Sequence, residues 1–252
     1  MLIFITGATS GIGRATAHAF AKAGHELILT GRRCDRLGKL KQQLREQYGI
    51  TAGTLCFDIT NRQECEENLN QLGSKLGQID VLINNAGKAK GFDPIHDSNV
   101  DHWEEMIDTN LKGLLYITRL ISPHMVAREK GHIINLSSTA GKEAYPNGGV
   151  YCATKHGVEA LTKGIRMDLH KYGIRVSQVA PGHVEETEFA KVRFDGDEEK
   201  AKIYKDFQPL KSSDVADAIF FIATRPAHVN IQDILIMGTQ QASGMIIDRS
   251  GR

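Results

Sequence analysis

The stretch LIFITGATSGIG, residues 2–13, decides the fold: an apolar run passes directly into a glycine-rich turn and then into a helix pattern. Gly7 permits a sharp turn, and Gly11 and Gly13 let the backbone and the helix approach a bound pyrophosphate closely. The start of the helix adds unpaired N–H groups and a positive dipole end. The spacing GxxxGxG differs from the general GxGxxG, but its position after the first strand predicts a dinucleotide-binding turn.

Six further apolar runs follow this one, and helix patterns separate them. Most runs are apolar on successive residues, as strands covered on both faces require. Alternating strands and helices with right-handed crossovers predict an α/β fold: a single-domain Rossmann-like, doubly wound parallel sheet with helices on both faces. The expected strands are 2–6, 26–31, 53–59, 80–87, 132–138, 175–182 and 234–238, with helices near 11–23, 35–48, 62–77, 101–128, 150–172 and 212–224.

The chain shows no linker, low-complexity tract or internal repeat, so one domain is expected over residues 1–252. Its cofactor-binding half covers about 1–130 and its catalytic and substrate half about 131–252. The polar stretch 183–211 follows a strand end directly, which predicts a mobile lid or a short helical insert over the site. A solvated surface insert is the alternative.

Composition excludes several classes of protein. The 252 residues are 41% hydrophobic and 24% charged with a net charge of +1, so neither a nucleic-acid partner nor a membrane surface is indicated. The N-terminal sequence does not resemble a signal peptide, and Cys34, Cys56, Cys65 and Cys152 form no CxxC pair. Reduced thiols and a cytoplasmic location are therefore expected. The ten histidines form no HExxH-type pair, so no metal site is predicted.

The second strand ends in TGRRCDR, residues 30–36. In sheets of this type an acidic residue at this point binds the ribose 2′-hydroxyl of NAD, but Gly31 stands there and Arg32 and Arg33 follow. Two guanidinium groups suit a 2′-phosphate, which predicts NADP(H); a pair of solvent-facing arginines is the alternative. Asp58, at the end of the third strand, is a candidate partner for the adenine amino group.

In the stretch YCATK, residues 151–155, a phenol and an ammonium stand one helical turn apart. The cation of Lys155 favours the phenolate of Tyr151, so its pKa is expected below about 10 and the side chain can exchange protons near neutral pH. An ordinary helix face with an exposed lysine is the alternative. His156 points about 100° away around the helix, which argues against a catalytic role.

Together with TGATSGIG, the motifs NNAG (84–87), NLKG (110–113), a serine thirteen residues before YxxxK, and PG (181–182) occur in one order. The chain therefore resembles the short-chain dehydrogenase/reductase superfamily over essentially its whole length. The resemblance implies that Tyr151 is the general acid/base, with Lys155 lowering its pKa and binding the nicotinamide ribose. It implies that Ser138, rather than Ser137, orients the substrate oxygen. Asn110 is expected to distort its helix and to hold a water molecule that links Lys155 to solvent.

The resemblance also implies a cofactor surface built from the glycine turn, the strand ends and the segment after the PG turn. The spacing Val184-x-x-Thr187 is one residue longer than the common pattern, which leaves open whether Thr187 meets the nicotinamide carboxamide. The expected cofactor contacts are Gly7, Ala8, Thr9, Ser10, Gly11, Ile12, Gly13, Arg32, Arg33, Asp58, Ile59, Asn85, Ala86, Gly87, Tyr151, Lys155, Pro181, Gly182, Val184 and Thr187.

A narrower resemblance is carried by TGRR, MIDTNLKGLLY (106–116), PGHVEETEFAKVRFDGD (181–197) and RPAHVNI (225–231). These segments resemble NADP-dependent 3-hydroxy acid dehydrogenases, with sulfonate aldehyde reductases and carbonyl reductases as near neighbours. Such a substrate brings a carboxylate into a dry site, and that charge needs a partner. Arg193 is the first candidate, followed by Lys191 and His183. The alternative for Arg193 is a solvated lid charge or a subunit contact.

Two other classes share this fold, since fold alone does not decide function. A non-catalytic NADP-binding regulator would commonly lack the tyrosine or the lysine, whereas Asn110, Ser138, Tyr151 and Lys155 are all present. A nucleotide-sugar epimerase would carry a longer substrate domain after YxxxK than the 97 residues that remain. The resemblance further implies a homotetramer.

Overall fold

The computed structural model describes residues 1–194, 196 and 206–250, and these contain seven parallel strands in one sheet. The strands are β1 (Leu2–Ile5), β2 (Glu26–Gly31), β3 (Gly53–Cys56), β4 (Val81–Asn84), β5 (Gly131–Leu136), β6 (Ile174–Pro181) and β7 (Asp233–Ile236). Their order is β3-β2-β1-β4-β5-β6-β7, so the winding reverses between β1 and β4. A ligand crevice forms at such a reversal, outside the carboxyl ends of the strands.

Helices cover both faces of this sheet, as predicted. They are α1 (Gly11–Lys22), α2 (Cys34–Tyr48), α3 (Arg62–Asn70), α4 (Val100–Ile107), α5 (Leu114–Ala127), α6 (Gly149–Leu169), α7 (Phe189–Arg193) and α8 (Ser212–Ala223). Alternate residues of β1 point to opposite faces: Ile3 and Ile5 pack with α1, α2 and α8, and Phe4 packs with α3 and α5. Two separate cores result, which explains why β1 is apolar at every position.

The helix predicted over 101–128 is not continuous. Between α4 and α5 the backbone forms a π-helical stretch, Asp108–Gly113, which contains the buried Asn110. The prediction for 62–77 was also too long, because α3 ends at Asn70 and a 3₁₀ helix occupies Gly73–Gln78. Gly73 has a φ of 52°, outside the helical range, and a continuous α-helix cannot pass through that conformation.

The short helix α7 lies within the stretch predicted as a lid, 183–211. Residues 195 and 197–205 of that stretch lie outside the described residues. Val184 forms an isolated β-bridge with Leu210, so the two ends of the stretch lie side by side. This arrangement directs α7 over the carboxyl ends of the strands.

The prediction that all four cysteines are reduced is wrong for one pair. Cys34 and Cys56 form a disulfide with their Cα atoms 5.3 Å apart, whereas Cys65 and Cys152 are buried and free. The two bonded residues meet because β2 and β3 are neighbours: Cys56 is in register with Gly31, and α2 begins three residues after Gly31. A search for CxxC spacing cannot find a pair 22 residues apart.

Reducing this disulfide is expected to lower the free energy of unfolding by about 3 kcal/mol, because the bond restricts a loop of this length in the unfolded chain. Urea unfolding with and without a dithiol reductant measures the difference. A Cys34→Ser, Cys56→Ser double variant is the control and should not respond to the reductant. Identical curves for the untreated and reduced protein would contradict the expectation.

Candidate active site

A cavity of about 1020 Å³ lies at the carboxyl ends of the strands and extends under α7. It is lined by the turn before α1, by the segments that follow β2 to β6, and by the first turns of α6. Most of the residues predicted from the sequence line it: Gly7, Thr9, Ser10, Gly11, Ile12, Arg32, Arg33, Asp58, Ile59, Asn85, Ala86, Gly87, Ser138, Tyr151, Lys155, Pro181, Gly182, His183, Val184, Thr187 and Arg193.

Besides the exposed Lys191, three predicted residues do not line the cavity. Ala8 is buried, and its N–H donates to the carbonyl of Thr30 at 3.0 Å. Gly13 faces the turn itself, because a Cβ built there would lie 2.4 Å from the carbonyl oxygen of Gly7. Asn110 lies behind the wall, in the π-helical stretch. These three residues shape the site from outside and do not border its space.

The turn before α1 is tightly packed against the segment after β4 and borders the cavity. Gly7 has a φ of 66°, and a Cβ on it would lie 2.9 Å from the Cα of Ala86. Asn85 braces the turn by donating its side-chain N–H groups to the carbonyls of Thr6 and Gly7, at 2.9 and 3.1 Å. With the N-terminus of α1 opening onto the cavity, these residues fit a dinucleotide pyrophosphate.

The side chains of the two arginines predicted to bind a 2′-phosphate point in different directions and have different partners. Arg32, whose side chain is 61% exposed, donates to Asp58 at 3.4 Å. Arg33 lies along the glycine turn and donates to the hydroxyls of Thr9 and Ser10, at 2.8 and 2.9 Å from its Nη2. Burial acts to raise the pKa of Asp58, but hydrogen bonds from Thr60 and the charge of Arg32 hold it below its usual value. The ionised Asp58 thus keeps Arg32 at the mouth of the cavity.

Tyr151 and Lys155 both lie on the first turns of α6 and face the cavity. Lys155 is only 6% exposed; its Nζ donates to the carbonyl of Leu136 at 2.8 Å and lies 5.9 Å from the ring centre of Tyr151. Burial lowers the pKa of Lys155 from 10.5 to about 8. At neutral pH the ammonium therefore keeps its charge beside the tyrosine.

This shift in pKa gives a test of the burial of Lys155. The side chain titrates near 10.5 when unfolded and near 8 when folded, so the unfolded chain binds the extra proton between these values and stability rises with pH there. Relative to a Lys155→Met variant, the native chain is expected to gain about 1 kcal/mol of unfolding free energy per pH unit from pH 8 to 10. Urea unfolding at pH 7, 8, 9 and 10 measures this difference; a constant difference would contradict the expectation.

Asn110 is held by hydrogen bonds on both sides. Its side-chain Nδ2 donates to the carbonyl of Lys88 and to the hydroxyl of Thr154, at 2.9 and 3.0 Å, and its Oδ1 accepts from the N–H of Lys88 at 2.9 Å. A Cβ built on Gly87 would lie 3.3 Å from this Oδ1 and 3.4 Å from the Nζ of Lys155. Glycine at position 87 therefore keeps the space beside Lys155 open.

The two serines at the end of β5 have different surroundings. Ser138 accepts a hydrogen bond from the N–H of Ala140 at 3.2 Å, which leaves its hydroxyl hydrogen able to donate into the cavity. Ser137 is buried and donates to the carboxylate of Glu159 at 3.4 Å. The geometry favours Ser138 as the residue that contacts a substrate oxygen.

Arg193, at the end of α7, is a buried cation inside the cavity, 8% exposed. Its Nε donates to the carbonyl of Gly91 and its Nη1 to the hydroxyl of Tyr145, both at 3.3 Å. Its guanidinium carbon lies 4.5, 5.6 and 5.9 Å from the ring centres of Phe92, Tyr145 and Tyr151. Its Nη2 has no hydrogen-bond partner among the described residues. A buried charged donor without a partner is unfavourable, so Arg193 is a candidate for pairing with an anionic ligand.

The other substrate and lid candidates lie differently. His183 lines the cavity with its ring edge-on to Phe207, and burial lowers its pKa, so its imidazole is neutral and brings no charge to a carboxylate. Lys191 is exposed and does not line the cavity. The hydroxyl of Thr187 donates to the carbonyl of Val184 at 3.3 Å, with its methyl group beside Gly11.

Several lining residues escaped the sequence reasoning. Phe189 packs edge-on against Tyr151 with ring centres 5.6 Å apart, and Tyr145 and Phe92 surround Arg193. Glu188 binds two arginines near the glycine turn. Most of these residues belong to loops, where no periodic pattern marks which side chains turn inward.

None of the described helices is long and apolar enough to cross a membrane. No group of three histidine, cysteine, aspartate or glutamate side chains in the described part of the chain is arranged to hold a metal ion.

Three features meet at this cavity: the reversal of the doubly wound sheet, the glycine-rich turn before α1 and the tyrosine-lysine pair. Together they define a dinucleotide-binding oxidoreductase. The sequence pattern of the short chain dehydrogenase family matches residues 1–198, and the chain belongs to that family.

The chain is similar to known proteins and solved structures over nearly its full length. The chain is 45% identical over 252 residues to the NADP-dependent 3-hydroxy acid dehydrogenase YdfG of Salmonella typhi, covering 99% of this chain and 100% of the relative. It is 41% identical to sulfoacetaldehyde reductase 2 of Chromohalobacter salexigens, covering 98% of each chain. The structure superposes on the closed form of a serine dehydrogenase complexed with NADP⁺ with a TM-score of 0.91, at 44% identity and 96% coverage of both chains.

Proposed function

We propose that this protein is an NADP(H)-dependent oxidoreductase that transfers a hydride between its cofactor and a small 3-hydroxy acid of the serine, allo-threonine, 3-hydroxyisobutyrate or 3-hydroxypropionate type. The observation that supports the substrate class is the buried guanidinium of Arg193, whose carbon lies 5.9 Å from the ring centre of Tyr151. Its Nη2 has no hydrogen-bond partner among the described residues. A carboxylate on the substrate would supply the missing acceptor while the hydroxyl-bearing carbon stays near Tyr151.

The cofactor choice rests on the two arginines and on the relatives. NADP(H) supplies the hydride acceptor or donor when it is bound. The pyrophosphate would lie over Gly7 and Gly11 at the start of α1. Arg32, exposed at the cavity mouth, and Arg33 would bind the 2′-phosphate, and Asp58 would approach the adenine. The names of the YdfG relative and of the serine dehydrogenase complex, both of which include NADP, support this choice.

The proton chemistry belongs to the side chains of this chain. Tyr151 takes the proton from the substrate hydroxyl in oxidation and returns it in reduction. The ammonium of Lys155 stabilises the phenolate, and Ser138 donates a neutral hydrogen bond to the substrate oxygen. Asn110, fixed between Lys88 and Thr154, would hold the water molecule that links Lys155 to solvent and carries the proton away.

A second candidate activity is the reduction of a small aldehyde that carries a sulfonate. The same donor on Arg193 suits any compact anion, and the 41% identical relative is a sulfoacetaldehyde reductase. A neutral aldehyde or ketone would leave Nη2 of Arg193 without an acceptor, which disfavours a simple carbonyl reductase.

A substrate panel tests the proposal. NADP⁺ is assayed with L-serine, D-serine, L-allo-threonine, 3-hydroxyisobutyrate and 3-hydroxypropionate, and NADPH with sulfoacetaldehyde and simple neutral aldehydes and ketones. Hydroxy acids are expected to give the highest kcat/KM. Activity confined to neutral carbonyls would overturn the hydroxy-acid assignment, and a preference for NAD⁺ would overturn the role of Arg32 and Arg33.

We also propose that the enzyme is a homotetramer, as the family resemblance implies. The cytoplasmic location, which was expected from four reduced thiols, loses that support because Cys34 and Cys56 form a disulfide. Exposed apolar side chains on α4, α5 and α6, Ile107, Leu115 and Met167, support association through these helices. Light scattering coupled to size-exclusion chromatography tests it, and a monomer at micromolar concentration would reject it.

A further inference from the structure

Glu188, the residue before α7, lines the cavity beside the glycine turn. Its Oε2 accepts from Nη1 of Arg33 at 2.5 Å, and its Oε1 accepts from Nη1 of Arg36 at 2.6 Å. Arg33 is simultaneously bound to the hydroxyls of Thr9 and Ser10 in the glycine turn. The carboxylate thus connects the start of α7 to the part of the cavity that would hold the cofactor's phosphates.

The short helix α7 is held at both ends. At the start of the helix, the carboxylate of Glu188 pairs with Arg33. At its end, Arg193 donates hydrogen bonds to Gly91 and Tyr145. Between them Phe189 packs against the ring of Tyr151. A five-residue helix has too few internal hydrogen bonds to keep its position alone, so these end contacts determine where Arg193 points.

We propose that Glu188 is a positioning residue, which fastens the start of α7 to Arg33 and Arg36 and thereby holds Arg193 in place for the substrate. The role of Arg193 rests on the proposed function, but the fastening of α7 does not. Arg33 also lines the predicted 2′-phosphate position. In this proposal the affinity for the substrate therefore depends on a contact that Arg193 itself does not make.

The charges distinguish this role from cofactor binding. A carboxylate beside an anion-binding region opposes the anion, so Glu188 does not itself help to bind a 2′-phosphate. Burial acts to raise the pKa of Glu188, but hydrogen bonds from Arg36 and Arg33 bring it down to about 2. The contact is therefore charged across the whole pH range in which the enzyme is assayed.

The test is a Glu188→Gln variant, with Glu186→Gln as matched control, because Glu186 is exposed and lies two residues earlier in the same segment. In Glu188→Gln, KM for the best substrate of the panel is expected to rise about tenfold with kcat within threefold, while Kd for NADP⁺ stays equal or falls. A merely structural defect would instead weaken NADP⁺ binding together with substrate binding, and that result would overturn the proposal. So would an unchanged KM.

A second measurement does not depend on the substrate. Hydrogen exchange of the amides of Val192 and Phe194, which donate to the carbonyls of Glu188 and Ala190, is expected to accelerate in Glu188→Gln and not in Glu186→Gln. Faster exchange with no KM effect for any anionic substrate would reject the positioning role. Native exchange rates would reject the fastening itself. Failure of the hydroxy-acid proposal appears separately, in the substrate panel.

Arg36→Gln completes the test, since Arg36 contacts Glu188 and lies outside the cavity lining. This variant should also raise KM for the substrate, but by less than Glu188→Gln does, because Arg33 still holds the carboxylate. In the double variant with Glu188→Gln, KM should be no higher than in Glu188→Gln alone, as expected for two residues that act through one contact. Fully additive effects would overturn the proposal.

Discussion

Replacing Tyr151 by phenylalanine is expected to lower kcat by about 100- to 10,000-fold, the range that a positioned general acid/base contributes. The ring would still pack against Phe189, so only the hydroxyl is lost and the cavity keeps its shape. Kd for NADPH and the melting temperature should change little. Stopped-flow measurement of hydride transfer from NADPH to the best carbonyl substrate, together with cofactor titration, separates the chemical step from binding.

Tyr145→Phe is the matched control for this prediction. Tyr145 also lines the cavity, but its hydroxyl accepts a hydrogen bond from Arg193, and it belongs to the substrate position. Its loss should affect KM more than kcat. A Tyr151→Phe variant that turns over near the native rate would eliminate the proposed mechanism, because no other side chain has been assigned the proton transfer.

Replacing Arg193 by alanine is expected to raise KM for a 3-hydroxy acid by about 30- to 1000-fold, because one partner of a buried, hydrogen-bonded charge pair is removed. For a neutral ketone the change should be at most about threefold. The ratio of kcat/KM between the two substrates measures the contribution of the guanidinium to carboxylate binding and is insensitive to general damage at the site.

Arg193→Lys serves as the control for charge alone. It keeps a cation but loses the planar, forked arrangement of donors, so an intermediate KM for the acid is expected. Equal losses on the acid and the ketone in Arg193→Ala would reject the carboxylate role. That result would return Arg193 to a structural one, holding α7 against Gly91 and Tyr145.

The regular parts of the fold were predictable because their patterns are local. Each of the seven apolar runs forms a strand, and the order of alternating strands and helices was enough for the doubly wound sheet. The break at Asp108–Gly113 was expected only from the resemblance, because one glycine at its end does not by itself predict a π-helical stretch. The hydrogen bonds of Asn110 to Lys88 and Thr154 hold the break in place. Those partners lie 22 and 44 residues away.

Most of the predicted site residues line one cavity because they belong to motifs that follow strand ends. In a parallel sheet these ends meet at one edge, so chain position alone places them together. Ala8 and Gly13 show the limit of this reasoning, because membership of a motif does not decide which residues face the ligand and which face the protein.

The sequence by itself determined the sheet, the glycine turn, the tyrosine-lysine pair one helical turn apart and the family, because these depend on spacing within short segments. Only the tertiary structure decided that Cys34 bonds to Cys56, that Glu188 holds Arg33 and Arg36, and that Arg193 is buried with an unpaired donor. Such contacts join segments far apart in the chain, and their formation depends on how β2, β3 and α7 pack, which no local pattern records.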